Sequence, residues 1–328
     1  MLKVGLIGCG FMGTMHANCY KNIPGVELVA VADVRREKAE ELAAGTAAVI
    51  YSDGKDLIAD ASVDVIDICL PTYLHAEYAL LAMDKVKYLF VEKPVTLTVS
   101  ESEALLKKSQ ATGCQVQVGQ VIRFWDEYVA LREIVQEKRY GKVVNANFRR
   151  LSPSPEWGWN NWLHNVAQSG GAAQDLHIHD VDYVLSLFGA PNALFSVKNT
   201  LGEQNSYINT LMQFDGFSVG VEGTWNLPAS HPFQASFRVV FENAVVENDA
   251  SGFMLYTAEG AQKIAIEKKA LAAEGGTQGN ISDLGGYYNE LVYFTQQAAA
   301  GAAIEQASLA DAAQSLKFLL EKELVFHA

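Results

Sequence analysis

Val4-Gly5-Leu6-Ile7-Gly8-Cys9-Gly10-Phe11-Met12-Gly13 decides the fold. A short apolar run ends in the spacing G-x-G-x-x-G, and a helical pattern over 12–20 follows at once. In that setting Gly8 permits a tight turn, Gly10 lets the backbone approach a pyrophosphate, and Gly13 allows close packing of helix on strand. Phe11 and Met12 fill the two variable positions. The start of the helix offers unpaired N–H groups to phosphate charge. Asp33 closes the next apolar run, 20 residues beyond Gly13. There its carboxylate can accept bonds from a ribose diol. Strand, glycines, helix and acid together predict a dinucleotide site. NAD is preferred because a carboxylate repels a 2′-phosphate, and Arg35 and Arg36 just beyond leave NADP open.

Outward from this stretch, apolar runs recur at 28–32, 65–69, 88–91 and 115–118, with a weaker one at 47–51. Helical patterns at 36–44, 75–83 and 101–112 lie between them. Such alternation predicts a doubly wound parallel sheet with crossover helices. After Gln120 the pattern changes. A helix over 128–137 and a strand over 143–150 lead into an aromatic loop, 152–165, and a helix over 170–188. Alternating segments at 194–200, 207–214, 218–225, 235–241 and 244–248 follow without helices between them, which predicts an antiparallel sheet. Helices over 287–300 and 309–324 close the chain. The expected division is an α/β domain at 1–122 and an α+β domain at 123–328, with 309–324 free to pack back on the first.

The 328 residues carry a net charge of −13, and the basic residues are scattered, so neither nucleic acid nor an anionic membrane surface is an expected partner. No apolar run approaches the ~20 residues that span a bilayer. Cys9, Cys19, Cys69 and Cys114 lie far apart in apolar segments, which reads as free thiols in a reducing cytoplasm. The glycosylation match Asn280-Ile281-Ser282 is then a chance one.

Two further stretches carry chemistry. Val91-Glu92-Lys93-Pro94 ends an apolar run, and Gly170-Gly171-Ala172-Ala173-Gln174-Asp175-Leu176-His177-Ile178-His179-Asp180-Val181-Asp182 opens the second-domain helix. With the glycine fingerprint, these motifs resemble those of the glucose–fructose oxidoreductase/inositol dehydrogenase (Gfo/Idh/MocA) family, over essentially the whole chain. The resemblance implies an N-terminal Rossmann domain and a C-terminal domain with a large, open, mostly antiparallel sheet. It also implies NAD(P)-linked oxidoreduction of a sugar, inositol or related polyol, and a homodimer or homotetramer built through the open sheet face. By the same resemblance Lys93, Asp175 and His179 are catalytic, and Glu92 lies beside the nicotinamide ribose. Pro94 matches a proline that often follows a cis peptide. Pro71, Thr72 and His75 belong to a segment alongside the nicotinamide half. Two departures stand out. The family's R-R-F reads Ile122-Arg123-Phe124, and the third glycine of its G-G-G run is Ala172.

Alcohol oxidation needs a proton acceptor at the hydroxyl and positive potential at the developing oxyanion. Lys93, at a strand's carboxyl end, can supply the second. Asp175 and His179 are i, i+4 on one helix face, and an imidazole is a natural acceptor near neutral pH. His179 is therefore the expected base and Asp175 its partner, with Lys93 the competing base. Asp182 reads as structural. His177 and His179 are i, i+2 and do not converge on a metal, so no metal site is expected. Arg123, Trp157, Asn160 and Trp162 are candidate substrate contacts, indoles covering C–H faces and amides serving hydroxyls. The aromatic loop reads equally as a core plug or an oligomer contact. Two alternatives remain: a reductase of an imine or small carbonyl compound, and a non-catalytic NAD-responsive regulator on the same scaffold.

Overall fold

The computed structural model describes residues 1–60, 62–201, 205–266 and 285–323. It divides into two compact units. The first comprises Met1–Val121 and the described part of Ala270–Gln314; the second comprises Ile122–Lys269 and Ser315–Ala328 as far as they are described.

In the first unit the order is β1 (Leu2–Ile7), α1 (Phe11–Asn22), β2 (Val26–Ala32), α2 (Arg36–Ala43), β3 (Val49–Tyr51), α3 (Gly54–Asp60), β4 (Val65–Ile68), α4 (His75–Ala82), β5 (Tyr88–Val91), α5 (Val99–Thr112) and β6 (Gln115–Val118). The six strands are parallel in the order β3-β2-β1-β4-β5-β6, a doubly wound Rossmann sheet. Strands β4 and β5 are buried along their whole length, as a sheet covered on both faces requires. Helix α5 starts earlier than its apolar pattern because Thr98 and Glu101 form a reciprocal capping box, and Gly113 ends it in the left-handed conformation. Helix α3 has no long apolar pattern to announce it. Leu57 and Ile58 are its buried pair, and Asp53 Oδ1 accepts from Lys55 N–H at its start.

In the second unit, α6 (Asp126–Gln136), β7 (Val143–Pro153), α7 (Val166–Ser169) and α8 (Ile178–Phe188) precede a run of strands. These are β8 (Ala193–Leu201), β9 (Asn205–Phe214), β10 (Phe217–Leu227), β11 (Gln234–Phe241), β12 (Val245–Asp249), β13 (Gly252–Thr257) and β14 (Gly260–Lys263). With β7 they form one sheet ordered β14-β13-β12-β11-β7-β10-β9-β8, antiparallel except where β7 meets β10. Strands β13 and β14 extend the sheet beyond its sequence expectation; β14 is exposed throughout and so lacks an apolar alternation. One face is sealed by Tyr128, Phe148, Tyr183 and Phe237, with Tyr128 meeting Tyr183 and Phe237 edge to face at 4.9 and 5.0 Å. The other face exposes Phe195 and Leu211 beside Asn147, Arg149 and Glu222, around a shallow concavity of about 520 Å³.

Two last helices are α9 (Gly285–Ala300) and α10 (Leu309–Phe318), and a π-helical turn, Leu319–Glu323, follows. The sequence reading gives 123–328 to the second domain, with 309–324 alone free to pack back on the first; the structure groups 285–314 with the first. The cause is the stripe of α9. Leu291 and Phe294 are fully buried in the core that holds Leu6, Val31 and Phe90, and Phe294 meets Phe90 edge-on at 5.4 Å. Burying each such side chain contributes about 1.5–3 kcal/mol, enough to decide where a helix docks. Leu324 of the expected final helix and the Asn280 match lie outside the described residues. Among the described residues no helix is long and apolar enough to cross a membrane.

Candidate active site

The glycine loop is shaped by contacts only hydrogen side chains allow. Gly8 has φ +96°, and a Cβ there would sit 2.6 Å from the Cys69 carbonyl oxygen. A Cβ on Gly13 would lie 1.9 Å from the Gly8 carbonyl oxygen, so helix and turn touch directly. At Gly10 the added carbon would meet only Arg35 Nη2, at 3.7 Å. The loop is thus tight where it packs and open where a phosphate would approach. Gly10 caps α1 without a side-chain hydrogen bond, at the helix end whose N–H groups favour phosphate charge. Phe11 and Met12 are half-buried beside it.

Asp33 is buried at the end of β2. Its Oδ2 accepts from Cys9 N–H at 2.8 Å and its Oδ1 from Arg35 N–H at 2.8 Å. The Arg35 guanidinium adds two contacts at 3.1 Å. The carboxylate therefore sits beside the glycine loop, as a ribose acceptor must, with a cation folded onto it. Together the open loop, the uncapped helix and the acid fit a dinucleotide.

At the end of β5 the chain turns through Glu92, Lys93 and Pro94, and the Lys93–Pro94 peptide is cis. Glu92 is buried, and its Oε2 accepts from Lys93 N–H at 3.0 Å. A Cβ on Gly119 would lie 3.0 Å from the Glu92 carboxyl group, so that residue's bareness makes room for the acid. Lys93 itself is half-buried. Pro71 is half-buried and Thr72 fully buried. His75, expected alongside the nicotinamide half, is buried. Its Nδ1 lies 2.8 Å from Pro94 O and its Nε2 2.7 Å from Leu70 O, so the ring's single N–H donates to one of two backbone carbonyls, and the imidazole packs between this segment and the Lys93–Pro94 turn. Burial pushes its pKa down, against the pull of the two carbonyls.

The helix expected over 170–188 is present from 171 to 188, with a π-helical turn near its start. Gly170 ends α7 with φ +73°, Gly171 is also left-handed, and a π-helical turn, Ala173–His177, runs into α8. π-Turns are rare and cluster at functional sites. The polar residues here divide cleanly. His177, Asp180 and Asp182 are 0% exposed, whereas Asp175 and His179 keep 9% and 8%. Each sealed residue has a partner far away in sequence. His177 Nε2 lies 2.6 Å from Glu323 Oε1, and Thr210 donates to the same oxygen. Asp180 accepts from Arg150 Nε at 2.7 Å. Asp182 takes a two-pronged contact from Arg123, at 2.6 and 2.8 Å, and a third bond from Ser315 Oγ at 2.8 Å.

The guanidinium of Arg123 is thus turned onto Asp182 rather than offered to a substrate. Removing one partner of a buried pair leaves an uncompensated charge, which costs about 3–5 kcal/mol. Arg123→Leu should therefore lower the unfolding free energy by about that much in urea denaturation, while Arg149→Leu, at the exposed Arg149–Glu222 pair, should change it little. In the aromatic loop Trp157 and Trp159 are each 41% exposed and Trp162 is half-buried. Asn160 and Asn161 hold left-handed backbone there, at φ +49° and +58°.

Sequence reading missed the pairing of Arg150 with Asp180 and of Arg35 with Asp33, and a buried acid–imidazole group, Asp67 and His16, behind Glu92. The signal for the last was available: an aspartate inside the apolar run Val65-Ile66-Asp67-Ile68 needs a buried partner.

Comparisons with known proteins identify the family. A family model described as the GFO_IDH_MocA oxidoreductase family, NAD-binding Rossmann fold, matches residues 2–120, and the GFO/IDH/MocA C-terminal domain matches 128–247. The scyllo-inositol 2-dehydrogenase (NAD(+)) of Bacillus subtilis is 30% identical over 246 residues, 71% of this chain and 70% of that one. The myo-inositol 2-dehydrogenase of Thermotoga maritima is 30% identical over 194 residues, 57% of this chain and 55% of that one. Among solved structures, a levoglucosan dehydrogenase in complex with NADH has a TM-score of 0.81 at 22% identity, over 97% of this chain and 95% of that one. A myo-inositol dehydrogenase from Corynebacterium glutamicum has a TM-score of 0.79 at 19% identity, over 99% and 97%. The last two show a shared fold.

Proposed function

Because the chain belongs to the GFO/IDH/MocA family of oxidoreductases, we propose that it is an NAD-dependent dehydrogenase acting on a secondary alcohol or ketone of an inositol, sugar or related polyol. The observation that carries the site is the division of polar residues on the Ala173–His177 turn and α8. Asp180, Asp182 and His177 are sealed in buried pairs, and Asp175 and His179 alone of these five keep exposed surface. The two that keep exposed surface are the two the chemistry needs.

The residues that would hold NAD are Gly8, Gly10, Phe11, Met12 and Gly13 at its pyrophosphate, Asp33 at its adenosine ribose, and Pro71, Thr72 and Glu92 toward the nicotinamide. Bound NAD supplies the hydride acceptor. The chain's own part in oxidation is to take the hydroxyl proton and stabilise the oxygen left behind. His179 Nε2 or Nδ1 accepts the proton, Asp175 orients the imidazole, and the Lys93 ammonium donates a hydrogen bond to the developing oxyanion. In reduction the same proton returns. Trp157, Asn160 and Trp162 serve as a sugar-facing surface. The open sheet face with Phe195 and Leu211 supports a homodimer or homotetramer, and four free buried cysteines support a cytoplasmic setting.

The test is a panel of inositols, aldoses and aliphatic polyols with NAD and with NADP, read by reduced-nicotinamide absorbance. Turnover of a cyclic polyol or sugar is expected. Inactivity on the whole panel, alongside reduction of an imine or a small ketone, would replace the substrate class. Asp33→Ser removes the ribose acceptor and frees Arg35 for a 2′-phosphate. A hydrogen bond to a charged group is worth about 1.5–3 kcal/mol, so the NAD-over-NADP affinity ratio should fall roughly 10- to 100-fold. Tighter NADP than NAD binding by the unaltered protein would refute the assignment.

A further inference from the structure

Helix α1 carries a histidine that the dinucleotide has no use for. His16 is fully buried. Its Nδ1 lies 2.8 Å from Asp67 Oδ2 on β4 and 3.2 Å from the Cys69 sulfur. Its Nε2 lies 3.1 Å from Glu92 Oε1. Tyr20, one turn further along α1, donates to the same Asp67 oxygen at 2.8 Å. The Phe90 ring stands edge-on to the imidazole at 5.3 Å, and Tyr287 of α9 lies at 6.4 Å. Among the described residues neither His16 Nε2 nor Glu92 Oε1 has another hydrogen-bond partner in line, and the two face each other.

A neutral imidazole has one N–H, and here a carboxylate oxygen faces each ring nitrogen. Only the imidazolium offers a proton to both. The group is then one cation between two carboxylates, the arrangement in which buried charges are tolerated. It joins three places that matter. Helix α1 begins at the glycine loop, the chain leaves β4 through Cys69, whose carbonyl lies beside Gly8, and Glu92 holds the backbone N–H of Lys93.

We propose that His16 is a positioning residue for the reaction: as a buried imidazolium braced by Asp67, it holds the Glu92 carboxylate and through it the Lys93 turn in register with the glycine-loop helix. This rests on the reading of Lys93 as the donor to the reacting oxygen. Burial alone would lower the imidazole's pKa, but the charge of Asp67, with Cys69, outweighs it and holds the value well above the ordinary range. The other groups around the ring are Glu92, Tyr20, Tyr287 and Cys19. Because the folded pKa is raised, the stabilisation is complete below an unfolded value of about 6.5 and fades as pH rises through the folded one.

The experiment compares His16→Gln, Asp67→Asn and Cys69→Ala with the unaltered protein, each saturated with NADH or NAD. In His16→Gln, kcat should fall roughly 10- to 100-fold, while the NADH Kd and the KM of one good polyol stay within about threefold. Asp67→Asn, nearly isosteric, should show the same split more weakly and serves if His16→Gln does not fold. Cys69→Ala should change kcat by less than about twofold. Thermal melts give a reading independent of turnover: the Tm gap between the unaltered protein and His16→Gln should narrow as pH is raised from about 6. A kcat within twofold in both His16→Gln and Asp67→Asn overturns the proposal, as does a Tm gap that does not change with pH. Stoichiometric zinc in the purified protein, lost in His16→Gln, would overturn it too, since His16, Asp67 and Cys69 would then be ligands. If the unaltered protein turns over no polyol, the functional reading fails, and the Tm gap still decides the charge state of His16.

Discussion

In Lys93→Met, kcat for polyol oxidation should fall by about 10²–10³, the usual cost of losing one donor to a developing oxyanion. The substitution keeps the length of the side chain and removes its charge. Lys93 is half-buried at the end of β5, and the turn that carries it is held by backbone contacts: its own N–H to Glu92, and Pro94 O to His75. None of these needs the ammonium, so the protein should fold. The NADH Kd should stay within about threefold, because the glycine loop and Asp33 lie at other strand ends. A loss confined to kcat marks an interaction made chiefly in the transition state, whereas a rise in KM at constant kcat would mark uniform binding. Near-normal kcat removes Lys93 from the chemistry.

His179→Ala should cost about 10²–10⁴ in kcat, the range for a positioned acid–base group. A base must be neutral to accept the hydroxyl proton. The rate of oxidation should therefore rise with pH and level off once the base is neutral. In His179→Ala the low-pH limb should flatten. Asp175→Asn should cost less, since an amide can still orient the ring. The competing assignment makes Lys93 the base, and the same profile separates the two. If His179→Ala retains the low-pH limb and Lys93→Arg abolishes it, the proton goes to Lys93. The fold should survive His179→Ala, because α8 is anchored by Asp180 to Arg150 and by Asp182 to Arg123.

Local demands on the backbone can be read from residue identity, and the sequence by itself determined whatever rests on them. Gly8, Gly10 and Gly13 after an apolar strand already specify the turn, because no side chain fits where Gly13 meets Gly8 O. The parallel sheet followed from alternating runs, and Asp33 followed from its distance to the glycines. Lys93, Asp175 and His179 were legible as candidates from their motifs. Helix α9 was legible as a helix, but its membership of the first unit was not, since an apolar stripe does not name the surface it will cover. Only the tertiary structure decided which polar residues are sealed and which stay open. His177, Asp180 and Asp182 find partners 146, 30 and 59 residues away. Arg123 belongs to Asp182, and His16 stands between Asp67 and Glu92, for the same reason. A buried charge must be matched in space, and spacing along the chain says nothing about which distant element will bring the match.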